Sequence, residues 1–201
     1  GFAVWSLWGH GLSGVDAAIF AGMYAFTGLG VSAGFHRLFA HKTYEAKRPA
    51  AAVLAVAGSM SIEMGVIGWV ATHRRHHAFA DRPGDPHSPH LDAALGLKGI
   101  LRGLWFAHLG WLLTSERTDP DRWAPDLVKD RTINWIDRTF GLWVALSFLI
   151  PPVLGLAITR SWMGALTAFL WGSLVRILLL HHVTWSVNSI CHMFGRQPAT
   201  Q

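Results

Sequence analysis

The sequence DAAIFAGMYAFTGLGVSAGFHRLFAH, residues 16–41, joins a predominantly apolar stretch to a pair of histidines. At about 1.5 Å per residue, residues 16–35 are long enough for a helix to cross a hydrocarbon core of about 30 Å. His36 and His41 follow directly at the end of this stretch. On an ideal α-helix two residues five apart point about 140° apart, so these imidazoles converge only if the helix ends or unwinds between them. The segment therefore predicts a transmembrane helix that delivers histidines to one membrane surface.

The composition of the whole chain supports a membrane protein. Its 201 residues are enough for one domain, which we assign to residues 1–201. Charged residues make up 14% of the chain, against roughly 25% in soluble domains, and 51% of the residues are hydrophobic. The single cysteine, Cys191, excludes a disulfide framework and a cysteine-ligated zinc or iron–sulfur site. We therefore predict an all-α, multi-pass membrane fold.

The basic residues are distributed unevenly along the chain. Of the 17 Lys and Arg residues, 14 lie between Arg37 and Arg138. This asymmetry is typical of the positive-inside pattern, so we assign the polar block of residues 73–138 to the cytoplasmic side. No basic run is interleaved with aromatic residues as a nucleic-acid groove requires, so we expect a lipid bilayer as partner and no nucleic acid.

Further apolar segments follow residues 16–35. Residues 140–158 and 162–180 are predicted to cross the membrane, with Pro151 and Pro152 kinking or interrupting the first of these helices. Residues 49–70 are also apolar but include Glu63, and a carboxylate in mid-bilayer is costly. We therefore expect this run to enter the membrane and return, or to lie along the interface.

The connection before residue 140 has two parts. Residues 96–113 are moderately amphipathic and carry Lys98, Arg102 and several aromatic residues, which favours an interfacial helix. Residues 114–137 are polar and contain two prolines, which predicts a loop.

Twelve histidines are the most unusual feature of the composition, and many fall at the ends of apolar segments. His73, His76 and His77 have the spacing i, i+3, i+4, which places three imidazoles on one helix face. His192 lies at the end of the last apolar segment. Neutral imidazole suits iron, zinc, copper or nickel. A common site requires all these clusters on one membrane face, which is possible only if residues 49–70 do not span.

These motifs resemble those of a known family. HRLFAH (residues 36–41), HRRHH (73–77) with DPHSP (85–89), and HHVTWSVNSICHMFG (181–195) resemble the membrane fatty-acid desaturases, most closely the Δ9 branch of stearoyl-CoA-type and bacterial acyl desaturases. The resemblance runs from about residue 30 to residue 195. It implies a multi-pass helical protein whose cytoplasmic helical cap holds a histidine-rich di-metal site.

The resemblance also implies roles for individual residues. The family's iron-ligand positions correspond to His36, His41, His73, His76, His77 and His192. Asn188 matches an asparagine that approaches one metal through water, and Asp85 and His87 match a loop that supports the ligands. The residues that match positions near the acyl tunnel are Glu63, Trp69, Thr184 and Trp185, although interfacial packing also explains the tryptophans and Thr184.

The chain departs from the family pattern in three ways. A final H-x-x-H-H motif is missing, so we expect a fragment truncated at both ends, with residues 2–8 as the end of a helix and no activity in isolation. His181 and His182 do not replace the motif, because His181 and His192 lie about 16 Å apart along a helix. Glu63 stands where the family often has an amide, and a charge there is costly unless it is paired. Residues 71–72 lack the charged pair of the animal CoA-dependent enzymes, which weakens the assignment of CoA as carrier.

The activity implied by the resemblance is O2-dependent insertion of a cis double bond, with Δ9 as the expected position. An unactivated methylene has no acidic proton, so a non-haem centre of two iron ions is expected, with zinc as a possible replacement after isolation. The expected substrate is a long-chain acyl-CoA, acyl-ACP or acyl lipid. No flavin, nicotinamide or iron–sulfur motif occurs, so electrons are expected from a partner, and the resemblance implies ferredoxin or cytochrome b5 with a reductase. The expected location is a bacterial plasma membrane, with the metal site facing the cytoplasm.

Two other functions stay open at this point. A di-iron membrane hydroxylase or alkane monooxygenase would use the same metals, and only product analysis separates it from a desaturase. A metal-binding transporter would place its ligands near the bilayer midplane, whereas these histidines lie at segment ends. The double-bond position, chain length, acyl carrier and electron donor are not determined by the sequence.

Overall fold

The computed structural model describes residues 11–90, 96–114 and 116–194, and this part of the chain contains helices and no strand. The all-α prediction is therefore confirmed, while the predicted helix end at residues 2–8 lies outside the described residues. The helices are α1 (Gly14–Ala40), α2 (Arg48–Ser59), α3 (Val66–Phe79), α4 (Gly96–His108), α5 (Pro120–Trp123), α6 (Pro125–Lys129), α7 (Arg131–Arg138), α8 (Phe140–Thr159) and α9 (Trp162–Cys191).

Three of the described helices, α1, α8 and α9, are long and apolar enough to cross a membrane. Their outward faces carry large apolar side chains, such as Leu29, Leu149 and Leu178, each more than half exposed. Such a surface is unfavourable in water and suits lipid. The predicted spans in residues 16–35, 140–158 and 162–180 each fall within one of these helices.

Helices α1 and α9 run side by side in the same direction. Asp16 accepts a hydrogen bond from Thr167 near their N-termini, at 3.0 Å. Towards their C-termini Arg176 donates to Thr27, and a side chain added at Gly28 would meet Leu180. Because the helices are parallel, the C-terminal ends that carry the first and last histidine clusters lie at the same end of the molecule.

Helices α2 and α3 form the hairpin predicted for residues 49–70. Helix α2 runs antiparallel to α1, with Leu54 opposite Gly34 and Gly58 opposite Gly30. The chain then turns through residues 60–65 and returns along α1. None of the described helices in this region is long enough to span, which confirms that the run does not cross as one helix. The hairpin returns the second histidine cluster to the end where α1 terminates.

Helix α8 is continuous through Pro151 and Pro152, so of the predicted kink or interruption the interruption does not occur. A proline removes the N–H that would bond the carbonyl four residues earlier. The two freed carbonyls, of Ser147 and Phe148, instead accept hydrogen bonds from the side chains of Arg176 and Ser173 on α9. These bonds satisfy the acceptors that the prolines leave free, so the helix tolerates them.

Residues 114–137 were predicted to be a loop, and this prediction is wrong because helices α5, α6 and α7 lie within or overlap them. The two prolines stand at the first position of α5 and α6, where the missing N–H is not needed. Asp119 and Asp130 cap α5 and α7 by accepting backbone N–H groups. The prolines thus start helices in this region instead of breaking them.

Helix α4 has the amphipathic character expected of residues 96–113. Leu97, Leu101 and Trp105 lie four residues apart along one exposed face. On the opposite face Gly103 packs so closely against the Pro89 backbone that an added side chain would overlap it. The position of α4 at a membrane interface stays a prediction.

Candidate metal centre

A wide helical turn brings the first two histidines together. Helix α1 is α-helical to Leu29 and π-helical over Gly30–Ala40, with hydrogen bonds between residues five apart. The His41 N–H donates to the His36 carbonyl at 2.9 Å, and the two ring centroids are 4.5 Å apart. The imidazoles of His36 and His41 converge because the helix unwinds between them, as their spacing of five residues requires.

These rings meet two histidines of α3. The ligand nitrogens of His36, His41, His73 and His77 all lie within 4.8 Å of one another, an arrangement that could hold a metal ion. The Nε2 atom of His73 is 3.1 Å from the Nε2 atoms of both His41 and His77. We call these four residues the first ligand group.

A second ligand group lies beside the first and consists of His76, His87 and His192. The His76 ring is 4.3 Å from that of His87 and 4.8 Å from that of His192, measured between centroids. It is also 5.4 Å from the ring of His77, which belongs to the first group. The two groups therefore lie next to each other, and this arrangement is compatible with a metal centre.

Two carboxylates contact histidines of the second group. Asp85 accepts from His76 Nδ1 at 2.9 Å, which leaves Nε2 of that ring free to bind a metal. Asp81 Oδ2 lies 3.3 Å from His192 Nδ1, which likewise leaves Nε2 of that ring free. Asp85 is also close enough to His76 and His87 to serve as a ligand itself. His87 was assigned to the supporting loop; its Nδ1 atom is buried without a hydrogen-bond partner, and it belongs with His76 and Asp85 to a set that could hold a metal ion.

Arg74 fixes α3 against the end of α1. Its guanidinium donates to the last carbonyls of α1, those of Phe39 and Ala40, and forms a bidentate pair with Asp126. Lys42 also contacts Asp126, and these two cations hold the pKa of that carboxyl well below its usual range. Because Arg74 follows His73 directly, this network sets the position of the imidazoles of α3 relative to those of α1.

The environment favours the neutral form of His73, His77 and His87. Burial, reinforced by the neighbouring histidines, lowers the pKa of His73 to about 2 and that of His77 to about 4. Burial, with His76 nearby, also lowers the pKa of His87 to about 4. Burial would raise the pKa of Asp85, but its hydrogen bonds from His76 and from backbone N–H groups lower it. Neutral imidazoles backed by carboxylates are suitable metal ligands, so the donor set fits a pair of first-row metal ions.

An apolar cavity of about 510 Å³ reaches the ligand groups, and we call it the metal-side cavity. Its size lies within the usual range for small-molecule sites. It is lined by His36, His73 and His87 and by all the residues that the sequence associates with substrate or with water at the metal, namely Glu63, Trp69, Thr184, Trp185 and Asn188. The Trp69 ring stacks on His73 at 4.8 Å and its N–H donates to Glu63 Oε2 at 2.9 Å. Burial raises the pKa of Glu63 to about 6, against the opposing influence of Thr184 and Trp69.

The structure adds residues that the sequence interpretation missed. Trp111 lines the metal-side cavity and its Nε1 atom is buried without a partner. In the sequence, Trp111 is one of several aromatic residues in the amphipathic stretch 96–113. The local pattern does not distinguish it from the other aromatic residues there. His108 bonds His182 at 2.9 Å outside both ligand groups, and His181 contacts the Ser61 carbonyl. Neither His181 nor His182 belongs to the two ligand groups.

Comparison with known proteins agrees with this geometry. The family model for fatty acid desaturases matches residues 12–201. The chain belongs to the fatty acid desaturase family. It is 42% identical to hex-5-enoyl-[acyl-carrier protein] acetylenase of Moorena producens (strain JHB), over 98% of this chain and 61% of the relative.

More distant relatives carry other names. The chain is 33% identical to the chloroplastic palmitoyl-monogalactosyldiacylglycerol delta-7 desaturase of Arabidopsis thaliana, over 88% of this chain and 43% of the relative. It is 31% identical to stearoyl-CoA desaturase 5 of Bos taurus, over 87% of this chain and 50% of the relative. The chain thus spans about half the length of the curated relatives it matches.

Proposed function

We propose that the intact protein is an O2-dependent, di-iron fatty acyl desaturase that inserts a cis double bond into an acyl thioester or acyl lipid. The observation that carries this proposal is the meeting of two ligand groups at the end of an apolar cavity. Membership of the desaturase family supports it. Bound iron would supply the oxidising power that removes hydrogen from an unactivated methylene with O2.

The histidines would hold the metal ions and the carboxylates would orient the histidines. We assign His36, His41, His73 and His77 to one ion and His76, His87 and His192 to the other, with Asn188 reaching a metal through water. Asp85 fixes the tautomer and direction of the His76 ring, and Asp81 has the same role at His192.

The cavity would position the chain. Its lining is mostly apolar, which favours a hydrocarbon chain and excludes water from the metal side. Trp69, held by its stacking on His73 and its hydrogen bond to Glu63, forms a fixed wall beside the ligands. A fixed wall at this point would select which carbon pair of the chain lies next to the metals.

For the outcome of the reaction, we propose desaturation at Δ9, which several relatives carry in their names, such as the sn-1 stearoyl-lipid 9-desaturase of Anabaena variabilis. The second candidate is an acetylenase, favoured by the 42% identity to the Moorena producens protein. The two differ in substrate, because one oxidises a saturated carbon pair and the other an existing double bond.

The remaining parts of the system are proposed on charge and family grounds. Electrons would come from ferredoxin or from cytochrome b5 with a reductase. The 14 Lys and Arg residues between Arg37 and Arg138 would favour an acidic donor. The protein would lie in the bacterial plasma membrane, with the metal site facing the cytoplasm.

The test is product analysis with the full-length, iron-loaded protein, O2 and a reducing system. Saturated acyl substrates and their monounsaturated counterparts are supplied separately, and the products are identified by mass spectrometry. A new cis alkene from the saturated chain supports the desaturase, and an alkyne from the alkene supports the acetylenase. An alcohol would replace the proposal with a hydroxylase, and metal-bound protein that converts no substrate would overturn it.

A further inference from the structure

Arg176 is the largest fully buried side chain among the described residues, and it lies within the membrane-spanning helix α9. An ionisable residue in such a place is costly and usually has a function, because water is not available to solvate its charge. None of the described Asp and Glu residues forms an ion pair with Arg176. Its charge is therefore balanced by neutral hydrogen-bond acceptors, and the elements that supply these acceptors indicate what the residue does.

The guanidinium of Arg176 joins three helices and a turn. Its Nε atom donates to the Gly172 carbonyl at 3.0 Å, and its Nη2 atom donates to Ser147 Oγ at 2.6 Å and contacts the Ser147 carbonyl at 3.5 Å. The Nη1 atom donates to Thr27 Oγ1 at 3.3 Å and to the Met60 carbonyl at 3.2 Å. These contacts account for the five N–H donors of a guanidinium, so Arg176 acts on the fold and not on a ligand.

The Met60 carbonyl begins the turn between α2 and α3, residues 60–65, and this turn receives further donors. Ser147 Oγ also donates to the Met60 carbonyl, at 2.6 Å, and His181 Nε2 donates to the Ser61 carbonyl at 2.8 Å. Met60 and Ser61 follow the last residue of α2, where carbonyls lack partners within the helix. Away from water, such carbonyls need donors from other elements. Side chains of α8 and α9 therefore hold the turn.

The turn is strained, so it needs to be held. Ile62 has a backbone φ of 67°, in the left-handed region, which a β-branched residue rarely adopts. A residue persists in such a conformation only where the surrounding structure fixes it. Glu63 and Met64 follow directly, and both line the metal-side cavity. A turn that relaxed at Ile62 would therefore move this part of the cavity wall.

We propose that Arg176 is a positioning residue: by holding the turn of residues 60–65, it fixes Glu63 and Met64 in the wall of the metal-side cavity. Glu63 accepts from Trp69 at 2.9 Å, and Trp69 stacks on His73, so two contacts link the turn to the first ligand group. The consequence for the reaction rests on the proposed desaturase function, because a fixed wall keeps one carbon pair of the substrate beside the metals.

Amide hydrogen exchange, followed by mass spectrometry on the full-length protein in detergent, tests the positioning directly. In Ser147→Ala the Met60 carbonyl loses one donor and Arg176 loses its closest acceptor. We expect the amides of residues 60–65 to exchange about tenfold faster than in wild type, or more. Thr27→Val is the matched control, because it removes an Arg176 hydrogen bond to α1 and none at the turn. It should leave exchange in the turn unchanged.

Substitutions of Arg176 itself complete the series. Arg176→Gln removes the charge and most of the donors, so exchange of residues 60–65 should be faster than in Ser147→Ala. Arg176→Lys keeps the charge and can still donate to the Met60 carbonyl, so it should restore part of the wild-type protection. If Arg176→Gln does not fold, the comparison of Ser147→Ala with Thr27→Val decides.

Product analysis of the iron-loaded Ser147→Ala protein measures the consequence for the reaction. Iron content should equal that of wild type, while a fraction of the product carries its double bond at a neighbouring position. Unchanged products despite faster exchange would overturn the positioning role.

The exchange measurement also separates this inference from the proposed function, because it requires no turnover. Wild-type protein that converts no substrate would overturn the proposed function, while faster exchange in Ser147→Ala alone would still support the hold on the turn. Wild-type exchange of residues 60–65 in Ser147→Ala, or equal acceleration in Ser147→Ala and Thr27→Val, would overturn the inference and leave the desaturase assignment intact.

Discussion

At the scale of single residues, His73 has the most contacts within the proposed centre. Its ring is close to those of His36, His41 and His77, stacks on Trp69 and is 6.3 Å from the ring of His76 in the second ligand group. Its low pKa leaves it neutral at any physiological pH. Its imidazole is therefore available to a metal ion under all working conditions.

We predict that His73→Ala in the full-length protein removes most of the metal from the first ligand group, because one ligand is lost and the nearby imidazoles lose their alignment. Metal content measured by elemental analysis after dialysis should fall to about half or less of wild type. His182→Gln, at a histidine outside both groups, is the control and should retain the wild-type content. Equal metal in both variants would remove His73 from the site.

Glu63 gives a prediction for stability. Its pKa is raised from 4.5 to about 6 in the folded protein, so folding is favoured by this group at low pH and the benefit is lost as pH rises through about 6. A glutamine side chain does not titrate, so the variant does not lose stability in this way. Between about pH 4.5 and about pH 7.5, Glu63→Gln should therefore gain about 2 kcal/mol relative to wild type.

Thermal unfolding of both proteins in detergent at a series of pH values measures this difference. The gain should appear between the two pKa values and be complete above about pH 7. A difference in melting temperature that is independent of pH would show that the Glu63 carboxyl is not shifted by burial.

At the scale of helices, spacing predicted some features and long-range contacts decided others. The i, i+3, i+4 pattern of His73, His76 and His77 was sufficient to place three rings along one side of α3. The interruption of α8 does not occur because the partners of the freed carbonyls come from α9, which is distant in sequence. The 114–137 segment was misjudged for a local reason, because Pro120 and Pro125 stand at the first positions of helices and Asp119 caps the first of them. The α8 contacts could not be predicted from local patterns, because Arg176 and Ser173 lie about 25 to 29 residues away in sequence.

The close approach of α1 and α2 gives a prediction for packing. A methyl group at Gly30 would lie 2.1 Å from the Gly58 nitrogen, which is backbone and cannot move aside alone. Gly30→Ala should therefore destabilise the protein by about 1–3 kcal/mol or more and shift the π-helical turn that pairs His36 with His41.

The matched control is Gly22→Ala in the same helix, where an added methyl group meets nothing within 4 Å. Removing a glycine from a helix interior should then be neutral or stabilising by about 0.5–1 kcal/mol. Melting temperatures in detergent compare the two variants. A Gly30→Ala protein as stable as Gly22→Ala would contradict the α1–α2 contact.

At the scale of the whole molecule, the fold explains how distant histidines meet. Parallel packing of α1 and α9 brings His36, His41 and His192 to one end of the molecule. The α2–α3 hairpin brings the cluster His73–His77 to the same end. The sequence predicted this arrangement because a shared site required one apolar run to turn back. It did not reveal the unpartnered Trp111 nitrogen, which is recognised only from the cavity that surrounds it.

The most direct test of this account is the number and position of iron atoms in the full-length, iron-loaded protein, measured by anomalous X-ray diffraction. We predict two iron atoms, one among His36, His41, His73 and His77 and the other among His76, His87 and His192. A single iron atom, or iron bound away from these two groups, would contradict the account.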